Sequence, residues 1–431
     1  KAECELKNFI GLQQQTQQLQ KNANVAKQKA QRATAQAKAE QQKAQKAQES
    51  ARLASQQAQT AKQEAEKLQN QLASVKKDVE TVQALSKLAG ELRNENLTED
   101  SDKALRQAGL SFRVEDHNLK QAMLLTSISQ AYEKLKKPGE AEKKINESLE
   151  YLRIKGNKIS SDEGLQIQVF VKANQGNFLA EKSPQQAIKA YQKAYNILKK
   201  YPTKTNPFGK DKILTANDIE LVHRRLLKLL PNHNHSNFKK QVWSSLKEHF
   251  YAELGSLLNR QKPNWEAADV KTTILMLFIA NRDEEREEER YLDIPHIERF
   301  SCTDLKRVDK LWVDNSKRYF GLSVQKEIWV KTGNRLSIKI SESNYSDDQN
   351  FFDGFGVAVG WLEDYKDYRR GTWVSYSDML RSINNNPFSQ DWRGGLPTIT
   401  RTGLSVAGTE WIVPYLRRLQ AFFSRAATCG L

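Results

Sequence analysis

Residues 1–94 carry an unbroken periodic pattern that only a long, straight helix can satisfy. From Phe9 to Val82, apolar or small residues recur at alternating spacings of three and four, with two polar exceptions. No glycine or proline lies between Gly11 and Gly90. A seven-residue repeat sustained over this distance predicts a coiled-coil seam. At a rise of about 1.5 Å per residue, the seam would be roughly 110 Å long.

Most positions of this seam are alanine, which buries little surface but allows two helices to approach closely. In one interpretation the helix pairs with a second copy or with another helix. That pairing would be strongest between Leu68 and Val82, where leucine and valine replace alanine. In the other interpretation it is a solvated spacer, since Ala, Gln, Lys and Glu have high intrinsic helix propensity.

The composition limits the classes of partner. A chain of 431 residues predicts two or three domains. Its net charge of +16 and pI near 9.5 favour contact with something acidic: nucleic acid, anionic lipid or a ligand carboxylate. In the long helix, however, Lys and Arg are interleaved with Glu and Gln, so the charge is diffuse. Nucleic acid is therefore a disfavoured partner.

Cysteine usage and hydropathy indicate the compartment. Three cysteines, an odd and sparse set, argue against a disulfide framework and favour a reducing environment. The longest apolar run, residues 274–280, is far shorter than the roughly 20 residues that span a bilayer. We expect a cytoplasmic protein with at most peripheral membrane contact. Because the chain begins at Lys1 and not at methionine, we expect a fragment or a processed product.

The tryptophans divide the chain. All eight lie beyond residue 242, and a polar loop at residues 231–237 marks a boundary before them. We predict a long coiled-coil helix at residues 1–94, helical repeats at 95–236 and a compact, mainly helical domain at 237–431. The predicted fold class is mainly α throughout.

Residues 95–236 have the pattern of paired antiparallel helices. Small or apolar residues fall at the spacing of tetratricopeptide repeats in two copies, separated by 34 residues plus an insertion near Gly156. The positions are Leu125, Ile128, Tyr132, Ala141, Ile145 and Ser148, and then Val171, Phe178, Ala187, Tyr191 and Ala194. Generic helical hairpins would bury similar faces. Two repeats are too few for an independent solenoid, so a further helix pair or a neighbouring domain must complete the core.

Residues 237–431 have the pattern of short helices joined by Gly- and Asn-rich turns. We predict helices that open at Asn264 and that span residues 294–300, 304–313 and 320–330. Residues 372–376 alternate in the manner of a strand. No nucleophile, P-loop or dinucleotide fingerprint is evident, so we expect a protein that is not an enzyme.

Six motifs follow one another in the last two-fifths of the chain. They are Trp265-Glu266-Ala267-Ala268-Asp269, the block from Tyr291 to Trp329, Phe355 to Trp361, Trp373 to Ser377, Gly395-Leu396-Pro397, and Phe423-Ser424-Arg425 with Cys429. In this order they resemble the genomes-uncoupled family, the porphyrin-binding regulators of magnesium chelatase, over residues 254–431. The resemblance implies a mainly helical domain with an open apolar cleft.

The resemblance also implies a ligand and a partner. Members of the family bind protoporphyrin IX or Mg-protoporphyrin IX without covalent attachment, and some bind linear bilins. They act on chlorophyll biosynthesis as regulators of magnesium chelatase, whose large subunit is then a candidate partner. The family's distribution suggests an oxygenic phototroph such as a cyanobacterium, and a location in the cytoplasm or at the thylakoid surface. A non-catalytic sensor or adaptor that relays to partners through the repeats and the coil is the expected function. The alternatives are a scaffold within a larger cyanobacterial receptor, whose family domain recognises protein, and a magnesium-chelatase activator.

A porphyrin site needs apolar walls and a few cations at its rim, because the ligand is a flat apolar disc with two propionates. The candidate wall residues are Trp312, Val313, Phe320, Leu322, Val324, Ile328, Trp329 and Leu396. The candidate rim cations are Arg318, Arg335, Arg393 and Arg401, since arginine pairs bidentately with carboxylates. The core interpretation is favoured over the ligand wall for Trp265, Trp312 and Trp373, and each arginine could be an ordinary surface charge.

Some features depart from the family or carry no chemistry. The loop before Leu396 lacks a histidine that the family usually has there, residues 363–371 look like an insertion, and residues 335–350 are long and polar. These loops border the family's cleft, so the choice of ligand stays open. His233 and His235 have no further metal ligands at suitable spacing, and no metal site is predicted. Cys302 and Cys429 are interpreted as buried structural cysteines without reactive thiols.

Overall fold

The computed structural model describes residues 2–156, 159–209, 211–230, 236–283, 291–336, 350–363, 373–398 and 412–431. These residues are mainly α-helical, as predicted, and an isolated antiparallel bridge between Leu362 and Trp373 is their one β contact. By its contacts the chain divides into two units, Lys1–Thr81 and Val82–Leu431.

The first element, α1, is one continuous helix of 93 residues, Ala2–Asn94. At about 1.5 Å per residue it is about 140 Å long. The predicted seam is solvent-exposed at Leu68, Leu72, Val75 and Val79. Pairing of this stripe with a second helix stays a prediction.

The carboxyl end of α1 packs within the second unit. Leu85, Ala89 and Leu92 are buried in a small core with residues of α2 (Thr98–Ser111) and α3 (His117–Lys134). The hydroxyl of Ser101 donates to the carbonyl oxygen of Ala89 at 2.8 Å. Helix α2 therefore turns back against the end of α1 and leads into the repeats.

Three helix pairs follow, and their bounds are α3 with α4 (Pro138–Lys155), α5 (Asp162–Leu179) with α6 (Pro184–Lys200), and α7 (Ala216–Leu229) with α8 (Ser236–Leu257). The small residues that the repeat pattern singled out lie where the helices cross. Ala141, Ala187 and Ala194 have no exposed surface. The pair α7–α8 together with the end of α1 and α2 completes the core that two repeats alone could not close.

The helices of the repeats begin where the sequence provides caps. Asp116, Ser161 and Thr215 accept hydrogen bonds from the backbone N–H three residues ahead. Pro138 and Pro184 occupy first helical positions, where a missing N–H costs nothing. Local sequence thus fixes the boundaries of these pairs.

The carboxy-terminal part contains short helices around an aromatic core. Their bounds are α9 (Trp265–Ile279), α10 (Ile294–Glu298), α11 (Cys302–Asn315), α12 (Leu322–Lys331), α13 (Tyr376–Asn385) and α14 (Ile412–Thr428), with a π-helical turn at Asn350–Phe355 that runs into Gly356–Ala358. The predicted helices at 294–300, 304–313 and 320–330 correspond to α10, α11 and α12.

The strand predicted at residues 372–376 is wrong. Trp373 makes only the single bridge with Leu362, and α13 begins three residues later. The cause is local: the hydroxyl of Ser375 accepts from the backbone N–H of Asp378 at 3.1 Å and caps the helix. The alternating apolar residues before it pack against the core without a partner strand.

Helix α8 is shared between the repeats and the carboxy-terminal core. Val242 near its start belongs to the core of the repeats, whereas Leu246, Phe250 and Leu254 belong to the carboxy-terminal core. None of the described helices combines the length and apolarity needed to cross a bilayer.

Candidate functional site

A loop without regular structure, residues 393–398, lies at the centre of the candidate site. Gln325 on α12 holds it, because the Nε2 atom donates to the carbonyl oxygens of Gly394 at 2.8 Å and Pro397 at 2.9 Å. The indole Nε1 of Trp361 donates to the carbonyl oxygen of Gly395 at 2.9 Å. The 393–398 loop has no secondary structure, and buried side chains from distant parts of the sequence hold it in position.

The buried carboxylate of Asp269 on α9 holds the end of the same loop. Its Oδ1 atom accepts from the backbone N–H of Thr398 at 2.6 Å, and its Oδ2 atom accepts from the hydroxyls of Thr398 and Tyr376, the latter at 2.8 Å. Hydrogen bonds to an ionised acceptor are about twice as strong as neutral ones. Asp269 therefore joins α9, α13 and the 393–398 loop at one point.

Helix α12 begins at a position where only glycine fits. Gly321 has a φ of 139°, and a Cβ atom there would lie 2.6 Å from Val313 and 2.9 Å from the carboxylate of Asp309. That carboxylate accepts from the backbone N–H of Ser323 at 2.8 Å and so caps α12 from α11. Burial raises the pKa of Asp309, although the Ser323 and Leu322 backbone and the nearby Arg318 charge act against it.

The predicted wall residues fall into two groups. Trp312, Phe320, Leu322 and Leu396 have no exposed surface. Trp312 packs against both Trp265 and Phe320, and its Nε1 atom donates to Thr272 Oγ1 at 2.9 Å. In this conformation these four residues form the core behind a site and do not present a surface to a ligand.

The second group of wall residues lies closer to the surface. Val313 is half-buried, and Val324, Ile328 and Trp329 retain a few per cent of their surface. Ile328 packs against Gly394 of the loop, because a Cβ atom at Gly394 would lie 2.7 Å from its Cδ1 atom. These four predicted residues remain candidates for direct contact with a ligand.

The structure brings the backbone segments that carry two predicted cations together. The backbone N–H of Gly394 donates to the carbonyl oxygen of Tyr319 at 2.8 Å, so Arg318 and Arg393 each neighbour one member of this bond. Arg393 is half-buried and pairs with Glu327 at 3.2 Å. The exposed Arg318 guanidinium forms no ion pair with any residue that the structure describes. Arg318 is thus exposed, and the charge that acts on it within the described residues is the Asp309 carboxylate.

Arg335 lies elsewhere. It follows the far end of α12, a helix of ten residues and therefore about 15 Å long. Its neighbour Leu336 lines a cavity of about 380 Å³ between α10 and α14. In that cavity the buried Nε atom of Arg417 has no hydrogen-bond partner among the described residues. Arg401, the fourth predicted cation, lies outside the described residues.

Aromatic residues that the sequence did not single out complete the side of the loop that carries Arg318. Tyr319 packs edge-on against Phe388 with ring centroids 5.3 Å apart, and the ammonium of Lys317 lies 4.5 Å from the Phe388 ring centre. Gln390 Nε2 donates to the Tyr319 hydroxyl at 3.3 Å. Phe388 lies 69 residues after Tyr319, and no local pattern connects them.

Comparison with known proteins identifies this part of the chain. Residues 244–400 match the family described as GUN4-like. Residues 244–400 form a GUN4-like domain. No curated protein matches the chain. Among solved structures, the ligand-free structure of Arabidopsis thaliana GUN4 is 22% identical to this chain, covers 40% of it and 94% of its own length, and superposes with a TM-score of 0.24.

The GUN4-like domain contains the residue types that a flat, apolar ligand with carboxylates would need. Aromatic and aliphatic side chains lie beside an arginine without an ion-pair partner among the described residues, and arginine is the cation best shaped for a carboxylate. Within the described part of the chain, no group of three His, Cys, Asp or Glu side chains could hold a metal ion. His233 and His235 lie outside the described residues.

The argument from the cysteine count against disulfides does not hold for one pair in the GUN4-like domain. Cys302 at the start of α11 and Cys429 after α14 form a disulfide, although they are 127 residues apart in sequence. The sequence argued against disulfides from the odd number of cysteines, and this argument misses a single long-range pair. Arg425 reinforces the junction, because its guanidinium donates to the carbonyl oxygen of Phe300 at 2.6 and 3.0 Å.

Two regions that the sequence placed at the border of the cleft are only partly described. Of the insertion at 363–371 the structure describes Glu363, and of the stretch 335–350 it describes Arg335, Leu336 and Asn350. Asn350 bonds back to Gly333 through its amide at 3.1 Å. The other residues of both regions lie outside the described part of the chain.

Proposed function

We propose that the GUN4-like domain binds a tetrapyrrole without catalysing a reaction and that the protein acts as a sensor or adaptor. The observation that carries this proposal is the contact of the 393–398 loop with the segment of Arg318 and Tyr319, where Tyr319 packs against Phe388 and its backbone bonds to Gly394 beside Arg393. This region offers an aromatic face and an exposed guanidinium, which match the ring and a propionate of a porphyrin. Membership of residues 244–400 in a family of porphyrin-binding regulators supports the same ligand.

The apolar part of the binding energy has a defined source in this proposal. The ring would lie over Tyr319, Phe388 and the half-buried Val313, with the buried layer of Trp312, Phe320 and Leu396 holding these residues in position. Burial of apolar surface stabilises a complex by about 25 cal/mol per Å², before the cost of association is subtracted. The cations then determine the orientation of the porphyrin ring, since they recognise only the edge that carries the propionates.

Protoporphyrin IX and Mg-protoporphyrin IX are the first ligands to test, and a linear bilin is the third. In the porphyrins the propionates share one edge of a rigid disc, whereas a bilin must be ordered on binding. We expect the rigid ligands to bind more tightly for that reason. Magnesium chelatase, through its large subunit, is the partner that the family suggests, and the cytoplasm or the thylakoid surface is the proposed location.

Relay to other proteins would use the remaining parts of the chain. The exposed stripe of Leu68, Leu72, Val75 and Val79 on α1 favours self-association, and the helix pairs offer a further surface. A scaffold without a tetrapyrrole, in which the GUN4-like domain contacts another protein, is the second candidate function. The same exposed stripe supports it, because assembly does not require a ligand.

A titration of the full chain with the three tetrapyrroles tests the proposal. We expect saturable quenching of tryptophan fluorescence together with a shifted visible absorption band, since all eight tryptophans lie beyond residue 242. The Arg318→Ala variant should bind more weakly. Absence of saturation with all three ligands would leave the scaffold as the function.

The matched control for Arg318→Ala is Lys310→Ala. Lys310 is an exposed cation on α11 that already pairs with Asp314 at 2.7 Å, so its removal takes away the same charge from the same domain. We expect Lys310→Ala to bind each tetrapyrrole as the unmodified chain does. Equal weakening by both substitutions would mean that only the overall charge of the domain matters.

A further inference from the structure

The disulfide between Cys302 and Cys429 has no part in the proposed function. It joins the start of α11 to the turn that follows α14, and the two cysteines are 127 residues apart. The chain between them includes α12, α13 and the 393–398 loop. A covalent link over so long a segment restricts the unfolded chain and so stabilises the folded one. Loss of this bond would therefore lower the stability of the part of the domain that holds the candidate site.

The cysteine usage of the chain favours a bond that forms and breaks. Three cysteines in 431 residues are too few for a disulfide framework. Such sparse usage is typical of a compartment that keeps thiols reduced, where a disulfide is usually transient and serves in redox sensing. A single pair that links two helices fits this role better than a permanent structural role.

The two cysteines are buried to different degrees. Cys302 is half-buried at the edge of the aromatic core, whereas Cys429 retains 5% of its surface. A thiolate that approaches from the solvent therefore reaches Cys302 first. This difference assigns Cys302 as the sulfur that is attacked and Cys429 as the sulfur that is displaced.

The surroundings of Cys302 stabilise its thiolate. Cys302 is the first residue of α11, where the helix dipole favours a negative charge. The exposed Lys306, one turn further along α11, brings its ammonium near Gly430, because a Cβ atom on Gly430 would lie 3.8 Å from Lys306 Nζ. The carboxylate in the same turn, Asp304, already pairs with Lys247 at 2.9 Å. Cys302 is thus a good leaving group in exchange with a dithiol.

We propose that the Cys302–Cys429 bond is a reversible redox switch that a dithiol reductant opens. One thiolate of the reductant attacks Cys302 Sγ, the bond between the two protein sulfurs breaks, and its electron pair goes to Cys429, which takes up a proton. The second thiolate of the reductant then attacks the reductant sulfur of the mixed disulfide, and Cys302 leaves as a thiolate. The protein gains two electrons, and the reductant becomes a disulfide. The switch does not depend on tetrapyrrole binding.

Helix α14 is the element that the switch releases. Its Phe423 packs in the aromatic core, with its ring 5.0 Å from the Trp329 ring of α12. Beyond the last turn of α14, the disulfide and a hydrogen bond from Lys326 Nζ to the carbonyl oxygen of Leu431 hold the chain. In the reduced protein, packing and hydrogen bonds alone hold α14, so its last turns should open more often.

The first test measures whether the folded protein exchanges the bond. The full chain with Cys4→Ser, which removes the third thiol, is placed at pH 7 in mixtures of reduced and oxidised dithiothreitol without denaturant. Free thiols are labelled with a maleimide and counted by gel shift. We expect two thiols to appear together and to disappear again in oxidised dithiothreitol. Protection of both sulfurs until urea is added would overturn the inference.

A charge substitution tests the role assigned to Lys306. Lys306→Glu should slow the reduction about threefold or more, because its carboxylate opposes both the attacking and the leaving thiolate. The matched control is Lys310→Glu, which makes the same change of charge one turn further along α11, where Lys310 is exposed and pairs with Asp314. It should leave the rate unchanged. Equal rates for Lys306→Glu and Lys310→Glu would contradict the assigned role.

Hydrogen exchange measures the release of α14. In the reduced chain we expect the amides of residues 417–428 to exchange about tenfold or more faster than in the oxidised chain. Unchanged exchange in α9 would show that the domain stays folded. The double variant Cys302→Ser with Cys429→Ser should behave as the reduced chain does in either buffer. Equal exchange of α14 in the two redox states, or a redox difference that persists in the double variant, would overturn the inference.

Discussion

The helical repeats and the GUN4-like domain are both built from α-helices, but different interactions determine the two structures. In the repeats, adjacent helices cross at alanines without exposed surface, such as Ala141 and Ala187. In the GUN4-like domain, hydrogen bonds and a disulfide connect residues that are up to 129 positions apart. The helix crossings of the repeats are thus specified by neighbours in sequence, although a few polar contacts such as Lys103 with Asp218 span the repeats. The domain depends more on distant polar contacts.

The different ways in which the repeats and the 393–398 loop are held affect the candidate ligand site. A core of crossing helices tolerates substitution at its surface. The inner face of the repeats is part of that surface, so its residues can vary without loss of the fold. The 393–398 loop has no helix or strand to hold it, so each of its anchors is needed to keep the segments of Arg393 and Arg318 together. The candidate ligand site therefore depends on residues that do not touch the ligand.

The largest expected effect comes from the substitution Asp269→Ala. Up to three donors would lose their acceptor, and each buried unsatisfied group costs about 1–3 kcal/mol. We expect the free energy of unfolding of the GUN4-like domain to fall by about 3–5 kcal/mol. Urea unfolding followed by tryptophan fluorescence reports on the part of the chain beyond residue 242, because all tryptophans lie there.

The control for that experiment is Asp314→Ala, which removes a carboxylate that is 47% exposed and pairs with Lys310 on the surface. Its effect should stay within about 0.5 kcal/mol. Equal effects of the two substitutions would show that the 393–398 loop is not held by Asp269. Far-UV circular dichroism in the same titration would show whether the repeats unfold separately.

A smaller effect is expected from acid at the junction between the two regions. His223 on α7 and His249 on α8 stack 6.4 Å apart, and burial lowers the pKa of each to about 4. The unfolded chain takes up these protons near pH 6.5 and the folded chain does not, so stability is full above pH 6.5 and falls as the pH decreases. Between pH 6.5 and 5 the loss is about 1.6 kcal/mol per histidine, or about 3 kcal/mol for the pair.

The charged groups around His223 and His249 do not reverse the direction of this pH dependence between pH 6.5 and 5. Glu220 and Lys271 form an ion pair at 3.3 Å. Burial raises the pKa of Glu253, and this shift stabilises the fold only as the pH falls toward the range in which carboxylates are protonated. Urea unfolding at pH 7 and pH 5 measures the slope. The double variant His223→Gln with His249→Gln should flatten it, and a slope that is unchanged in this variant would assign the pH dependence to other groups.

The features that could be predicted from the sequence follow the same division between local and distant interactions. The continuous helix α1 and the small residues at the helix crossings could be predicted because each depends on a period of three or four residues. The bounds of α10, α11 and α12 were also close, since Asp293 and Ser301 cap their helices locally. The motifs then identified the domain through their order.

The remaining features could not be predicted because they depend on contacts between distant residues. The disulfide of Cys302 with Cys429 and the bond of Asp269 with Thr398 have no local signal. The strand expected near Trp373 was wrong, since alternation alone does not supply a partner strand. Trp312 and Phe320 were predicted as ligand walls but lie in the core. Ligand walls and cores use the same aromatic residue types, and only the burial in the folded structure distinguishes them.

The most direct test of the account compares protoporphyrin IX with its dimethyl ester, which has the same ring without the two carboxylates. The affinity of the full chain for each ligand is measured by the visible band. We predict that the ester binds about tenfold or more weakly, since a charge-assisted hydrogen bond contributes about 1.5–3 kcal/mol. In the Arg318→Ala variant the two affinities should converge. Equal affinity of the unmodified protein for acid and ester would contradict the claim that arginines beside the 393–398 loop recognise the ligand.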